Sequence, residues 1–363
     1  MYSVDKVEGK GLGCIATKKI KKGTLILREK PSLVKVADVN KDMNPTVLKN
    51  LIDAYVKMEV GEKEEYLTLA NKYSEDSEIG FEVEEDREEF VRAFTAYCDQ
   101  IFSNLVSEIT LTNIDLETAK KVYQIYQTNA FHNGVCLKMS RFNHSCSSNA
   151  EYFWNTDEQT RDLRAIRNIP AGDEITVNYR GVEIQDVNDR IQLLLKEYHF
   201  YCNCAACDIS EEESMNEIEN CQKYKQLEDQ RTALEDAQDP DDVFMHINIK
   251  QEVECLKEMY SVAKELKILR MGTIIERILE PGFDASCQGF YNMSLLNLSL
   301  PEKAQFMKDA NNFASVGLQL STLVNGAQHS TSLEWQNRKE NPIEFFKEEQ
   351  NVARNRKGLK TIG

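Results

Sequence analysis

Arg141-Phe142-Asn143-His144-Ser145-Cys146-Ser147-Ser148-Asn149-Ala150 places a polar quartet, Asn-His-Ser-Cys, between an apolar approach and a segment that reads as a strand. So many side-chain donors and acceptors in so short a span are hard to satisfy in an ordinary core, where an unpaired polar group costs roughly 1 to 3 kcal/mol. A bound polar ligand or a metal would supply the missing partners. The plain alternative is a turn in which Asn and Ser stand in for backbone acceptors.

The metal option gains weight further along. Cys202-Asn203-Cys204-Ala205-Ala206-Cys207 sets three thiols within six residues, too tight for independent buried cysteines and suited to a tetrahedral thiolate zinc site. Cys14, Cys98, Cys136, Cys146, Cys221, Cys255 and Cys287 are candidates for a fourth ligand, and spacing does not choose among them. Ten cysteines in a chain whose first residues, Met1 to Gly13, lack an apolar signal core point to a reducing, intracellular compartment, cytoplasm or nucleus or both. No apolar stretch approaches the length of a membrane span. The formal charge of -16 argues against nucleic acid as the main partner, because phosphate binding relies on clustered Lys and Arg. Charge is uneven: residues 1 to 37 hold nine Lys/Arg against three Asp/Glu, and residues 208 to 220 hold six acids and no base. An acidic flank attracts basic protein substrates, although a solvated face is the plainer reading.

Along the chain, Gly9, Gly11 and Gly13 precede a short apolar strand. The order is wrong for phosphate loops, which need a strand before the glycines and a helix after them. Ile20-Lys21-Lys22-Gly23 reads as a turn into Thr24 to Leu27, a hairpin-like pair, and Arg164 to Val177 repeats that outline. Helical spacing marks Val47 to Val56, Phe90 to Leu105 and Leu116 to Tyr126 as packing helices, with the acids of 75 to 89 as a polar link. After Cys207 the pattern is helical, with periodic segments Val243 to Leu269, Thr273 to Leu279, Gln288 to Leu298 and Glu302 to Leu320. Breaks are expected at Asp239-Pro240, Pro281-Gly282 and Leu300-Pro301. The tail from about Gln336 reads as polar with little periodicity, its end expected to fray.

With Gly9-Lys10-Gly11-Leu12, Asn143-His144-Ser145-Cys146, Gly172-Asp173-Glu174-Ile175-Thr176-Val177-Asn178-Tyr179 and Cys202-x-Cys204-x2-Cys207 in this order, the chain resembles the SET-domain methyltransferases. Asn149 after the quartet, Tyr198-His199-Phe200-Tyr201-Cys202 and the helical C-terminal region resemble the SMYD branch. The motifs cover residues 7 to 207. Two departures stand out: residues 38 to 100 contain only Cys98 and no His, so the branch's MYND finger has no ligands here, and Ser148 stands where the family usually has Pro.

The resemblance implies an α+β SET fold, small sheets with a threaded C-terminal segment, over residues 1 to 208. Within it fall a helical insertion at 38 to 127 and a zinc-bearing segment at 181 to 208, followed by an all-helical, solenoid-like or TPR-like domain at 209 to 363. It names Cys146 as the fourth ligand beside Cys202, Cys204 and Cys207, a closed four-thiolate sphere of structural type. It makes Tyr179 the catalytic tyrosine and gives Phe131 and Tyr198 to the substrate-lysine channel. Lys10, Gly11, Leu12, Gly13, Asn129, Asn143 and His144 fall to S-adenosyl-L-methionine, and Phe200 to stacking on its adenine. The implied activity is methylation of a lysine in a protein partner, basic histone-like proteins included, by a monomer with no direct nucleic-acid or membrane contact. A SET-fold interaction protein that has lost turnover is the competing reading. Taken singly, Tyr179 is a strand tyrosine, His144 a satisfied core histidine and Phe200 packing for a metal knuckle. His132, His199, His246 and His329 receive no role.

Overall fold

Gly9 and Gly11 take φ of 70° and 69°, a region open to glycine and strained for other residues. They turn β1 (Tyr2–Val7) into β2 (Gly11–Ala16), an antiparallel hairpin. β1 buries none of its residues fully, which explains its weak sequence signal; a strand and not a helix follows the glycines. The structure, a computed structural model, describes residues 1–34, 45–73, 84–108, 114–131, 134–180, 185–237, 245–266, 268, 270–295 and 300–356. The Asp239-Pro240 break, acids 75 to 83, His132 and the end of the tail lie outside them.

The turn at Ile20-Lys21-Lys22-Gly23 does not fold the next strand back onto β2, so the expected hairpin is corrected. β3 (Leu25–Glu29) leads to β4 (Leu33–Val34), which pairs with β5 (Gly134–Val135). β6 (Ala150–Asn155) and β7 (Thr160–Ala165) form an antiparallel hairpin, and β7 also takes β3, giving the order β3-β7-β6. The two look-alike turns pair with each other. Ile20 and Ile169 exchange backbone bonds of 2.8 and 2.9 Å, Ala16 bonds with Gly172 and Asp173, and Ala165 bonds with Gly23 and Thr24. Gly23 (φ 85°) and Gly172 (φ 91°) make the corresponding corners, so the outlines match because the backbones match.

Residues 173 to 177 lie between two other stretches. On one side Ile175 N–H donates to the Cys14 carbonyl at 2.7 Å; on the other, Val177 N–H donates to the Asn143 carbonyl (2.9 Å) and accepts at its own carbonyl from Ser145 N–H (3.0 Å). The bridge between His144 and Val177 is parallel. This threaded strand brings the glycine segment and the polar quartet together.

The helical insertion contains α1 (Pro45–Val56), α2 (Val60–Tyr66), α3 (Glu84–Glu108) and α4 (Leu116–Asn129). Leu48, Leu51, Ile52, Tyr55, Phe102 and Tyr123 close one core with Leu33 and Val135 of the β4–β5 pair. α2 escaped the periodicity because Tyr66 is its one buried residue, its hydroxyl donating to the Val122 carbonyl at 2.9 Å. Acids 84 to 89, expected in a polar link, are the first turns of α3.

The chain divides into two units, Met1–Val177 with Asn188–Cys207, and Asn178–Val187 with Asp208–Gly363. The first gains α5 (Val187–Tyr198), all but its first residue. The second is helical: α6 (Glu211–Asp236), α7 (Met245–Glu265), α8 (Met271–Ile274), a π-turn at Ile275–Leu279, α9 (Glu280–Leu295), α10 (Leu300–Asn325), α11 (Ser330–Glu340) and α12 (Pro342–Arg356). The acids after 210 have a structural use, since Ser210 and Glu213 form a reciprocal capping box and Glu211 and Glu212 share the first turn of α6, where negative charge opposes the helix dipole favourably. Pro281-Gly282 is not a break but the opening of α9. Pro281 has no N–H to return to the preceding turn, and that turn widens into the π form. Gly282 lets Phe313 approach to where a Cβ would meet its ring at 2.5 Å. The polar stretch from Gln336 is helical through α11 and α12. Trp335, Phe345 and Phe346 are buried, Trp335 fully, and they hold α11 and α12.

Candidate active site and zinc centre

The approach to the quartet is fixed from β3. The Glu29 carboxylate accepts from the backbone N–H of Lys138 (2.9 Å) and Met139 (2.8 Å), and burial raises its pKa against those two bonds. This caps the 3-10 turn Met139–Arg141, while Arg141 donates to the Thr68 carbonyl at 2.8 Å. Asn149 completes the frame by acting as a backbone mimic. Its Oδ1 accepts from Thr176 N–H (2.9 Å) and its Nδ2 donates to the Glu174 carbonyl (2.8 Å).

Asn143 Nδ2 donates to the Leu12 carbonyl (3.1 Å) and to Glu174 Oε1 (2.8 Å), and Lys10 Nζ reaches Glu174 Oε2 at 2.8 Å. One carboxylate therefore joins two residues that the family resemblance assigns to the cofactor. The Lys10 pair is part-exposed and worth at most about 1 kcal/mol; its effect is orientation. Sequence reasoning assigns Glu174 no role; its place beside Ile175 in the Gly172 to Tyr179 motif is the signal it carries. Gly13 lies beneath this group, where a Cβ would fall 2.6 Å from Asn143 Nδ2, 2.7 Å from Val7 Cγ2 and 2.8 Å from Glu174 Oε1. Gly13→Ala should destabilise the first unit by about 1 to 3 kcal/mol through overpacking, measured by chemical denaturation; an unchanged midpoint would show that the group gives way freely.

The zinc candidates converge. Cys146 Sγ lies 4.0 Å from Cys202 Sγ and 3.6 Å from Cys207 Sγ, and the sulfurs of Cys146, Cys202, Cys204 and Cys207 all lie within 4.8 Å of one another. Zn–S bonds of about 2.3 Å in a tetrahedron place sulfurs about 3.8 Å apart, so the set fits zinc. The other six cysteines named as candidates are buried and lie outside this group. Burial lifts the Cys14 thiol to about 12. A tight turn closes the knuckle, Cys207 N–H donating to the Cys204 carbonyl at 2.7 Å, and buried Arg190 on α5 donates to the Ala206 carbonyl at 2.7 Å. His144 Nε2 stands 3.2 Å from Cys146 Sγ, and its ring lies 5.7 Å from that of Phe200.

Among the remaining assigned residues, Tyr198 lies 6.4 Å ring to ring from Phe200. Phe131 has the Arg161 guanidinium 4.3 Å over its ring and Tyr152 edge-on at 5.3 Å; sequence reasoning did not single out buried Arg161. Asn129 spends its amide N–H groups on the carbonyls of Ala70 (2.7 Å) and Ile125 (2.8 Å), where it ties α4 to the loop after α2. Tyr179 is half-buried and belongs to the second unit. His199 is buried with a left-handed backbone, φ 59°, and burial with nearby Lys72 lowers its pKa to about 4. His329 caps α11 by accepting from Thr331 N–H.

Residues 11–180 match the SET domain family. A SET domain-containing protein, L678, of Acanthamoeba polyphaga mimivirus is 28% identical over 60% of this chain and 82% of its own length. Histone-lysine N-methyltransferase set5 of Schizosaccharomyces pombe is 27% identical over 58% of this chain, and histone-lysine N-methyltransferase SMYD3 of Mus musculus is 28% identical over 28% of it. The matched regions span 51% of set5 and 23% of SMYD3.

Proposed function

From the premise that this chain carries a SET domain over residues 11–180, we propose that it transfers a methyl group from S-adenosyl-L-methionine to the side-chain amine of a lysine in a protein. The observation that carries the reading is the group built on Gly13, in which Glu174 orients Asn143 and Lys10. Its neighbour along the quartet, His144, lies beside the ring of Phe200, whose segment carries the zinc knuckle.

The lysine nitrogen attacks the methyl carbon as the carbon–sulfur bond breaks, its electron pair staying on sulfur to give S-adenosylhomocysteine; the proton leaves to water. Attack requires the neutral amine, and from a reference pKa of about 10.4 deprotonation at pH 7 costs on the order of 4 to 5 kcal/mol. A desolvated channel beside the sulfonium lowers that cost, and Phe131 and Tyr198 are the residues assigned to it. Tyr179 aligns amine and methyl, a positional role that needs no strong base. The reading extends to a monomer acting on a basic, histone-like protein in the cytoplasm or nucleus. The test is mass spectrometry of a cell extract stripped of its own methylation and incubated with the purified chain and labelled methyl donor. Label on lysine of one or a few proteins is expected; no label on any protein hands the fold to the interaction-protein reading.

A further inference from the structure

We infer that the His144 imidazole serves the zinc centre, donating a hydrogen bond from Nε2–H to the Cys146 thiolate, and that it does not hold the cofactor through its ring. The contact of 3.2 Å to Cys146 Sγ is within hydrogen-bond reach of sulfur. A zinc-bound thiolate has no proton to give, so in this pair the nitrogen donates. Four thiolates already close a zinc sphere, which leaves the imidazole as a partner to a ligand, the place where a donor to a metal-bound group is ordinarily found.

The backbone fixes this aim. Residues 143 and 145 make the ladder bonds to Val177 on either side of His144, and the side chain is buried with 5% exposure. The ring lies tilted 5.7 Å from that of Phe200, with Cys146 at 3.2 Å from Nε2 and Cys202 also in reach of the side chain, so the imidazole links the threaded strand to the knuckle that positions Phe200. Drawing charge from the sulfur makes Cys146 a weaker nucleophile towards electrophiles and oxidants.

The inference takes the four cysteines as a zinc site but requires no turnover, so it stands or falls apart from the methyl-transfer reading. The full chain is loaded with zinc alone and challenged with a chelator. His144→Phe keeps the ring against Phe200 and removes the donor, and it should weaken zinc retention by about 10 to 100-fold. His144→Gln, whose amide nitrogen reaches nearly the same point, should recover most of it. Equal retention in wild type and His144→Phe overturns the inference. So does equal loss in the Phe and Gln variants, which would make the role one of packing. Should His144→Phe fail to fold, the wild-type chain decides: nitrogen-15 NMR of the zinc-loaded protein must show the proton on Nε2, and a bare Nε2 overturns the assignment.

Discussion

Cys204→Ser is expected to leave the purified chain with about a tenth or less of the zinc of the wild type and to lower the melting of the first unit while the helical unit melts unchanged. The segment from His199 to Ser210 has no helix or strand. Its internal backbone order comes from the Cys207–Cys204 turn, with Arg190 holding Ala206 from α5. What the backbone does not supply, the metal must, and structural zinc sites contribute apparent binding free energies of about 10 to 16 kcal/mol at neutral pH. Replacing one thiolate by a neutral hydroxyl leaves three charged ligands, and a thousandfold loss of affinity removes about 4 kcal/mol of linked stability at fixed metal. The helical unit keeps its own core around Trp335, Phe283 and Phe345, so a scan should resolve two transitions of which one moves. Metal analysis by mass spectrometry of the purified variant checks the first half, and full occupancy would remove Cys204 from the ligand set.

The same segment shows how far the sequence could be read. Three cysteines in six residues announce a metal knuckle, but nothing in local spacing ties them to a thiol 56 residues earlier; that link came from the family resemblance, and the fold brings the four sulfurs together. Pairing partners were harder. A basic turn with a glycine reads as a hairpin wherever it occurs, yet Ile20 finds Ile169 and β3 finds β7, because the choice is made by long-range backbone partners that leave no mark in a ten-residue window. Glu174 was legible as a residue and not as a contact. Its value lies in standing opposite Asn143 and Lys10, which only the threaded strand reveals. In the helical unit the misses have a common cause. α6 buries few side chains, among them Cys221, Tyr224 and Leu227, too few to print a periodic stripe. α11 and α12 are polar helices held by a few aromatic anchors, and Pro281 looked like punctuation because a π-turn absorbs its cost.

Tyr179→Phe is expected to slow methyl transfer by roughly 10 to 1000-fold, about 1.4 to 4 kcal/mol of barrier, with zinc content, melting and affinity for S-adenosyl-L-methionine close to wild type. The substitution removes one hydroxyl and keeps the ring, so a half-buried side chain retains most of its packing. The local backbone is also held independently of that hydroxyl. Asn178 Nδ2 donates to the Ile268 carbonyl at 3.3 Å and its Oδ1 accepts from Arg180 N–H at 2.9 Å, so the segment carrying residue 179 keeps its anchor. Any large loss of rate then belongs to the reacting geometry, because an interaction that acts only in the transition state lowers the rate without loosening the ground-state complex. Single-turnover measurement on a protein that accepts label from the wild type, with cofactor affinity taken by calorimetry on the same preparations, separates the two. A fall in cofactor affinity as large as the fall in rate would move Tyr179 from alignment to binding. A rate equal to wild type would take the hydroxyl out of the reaction and leave the tyrosine as packing at the start of the second unit.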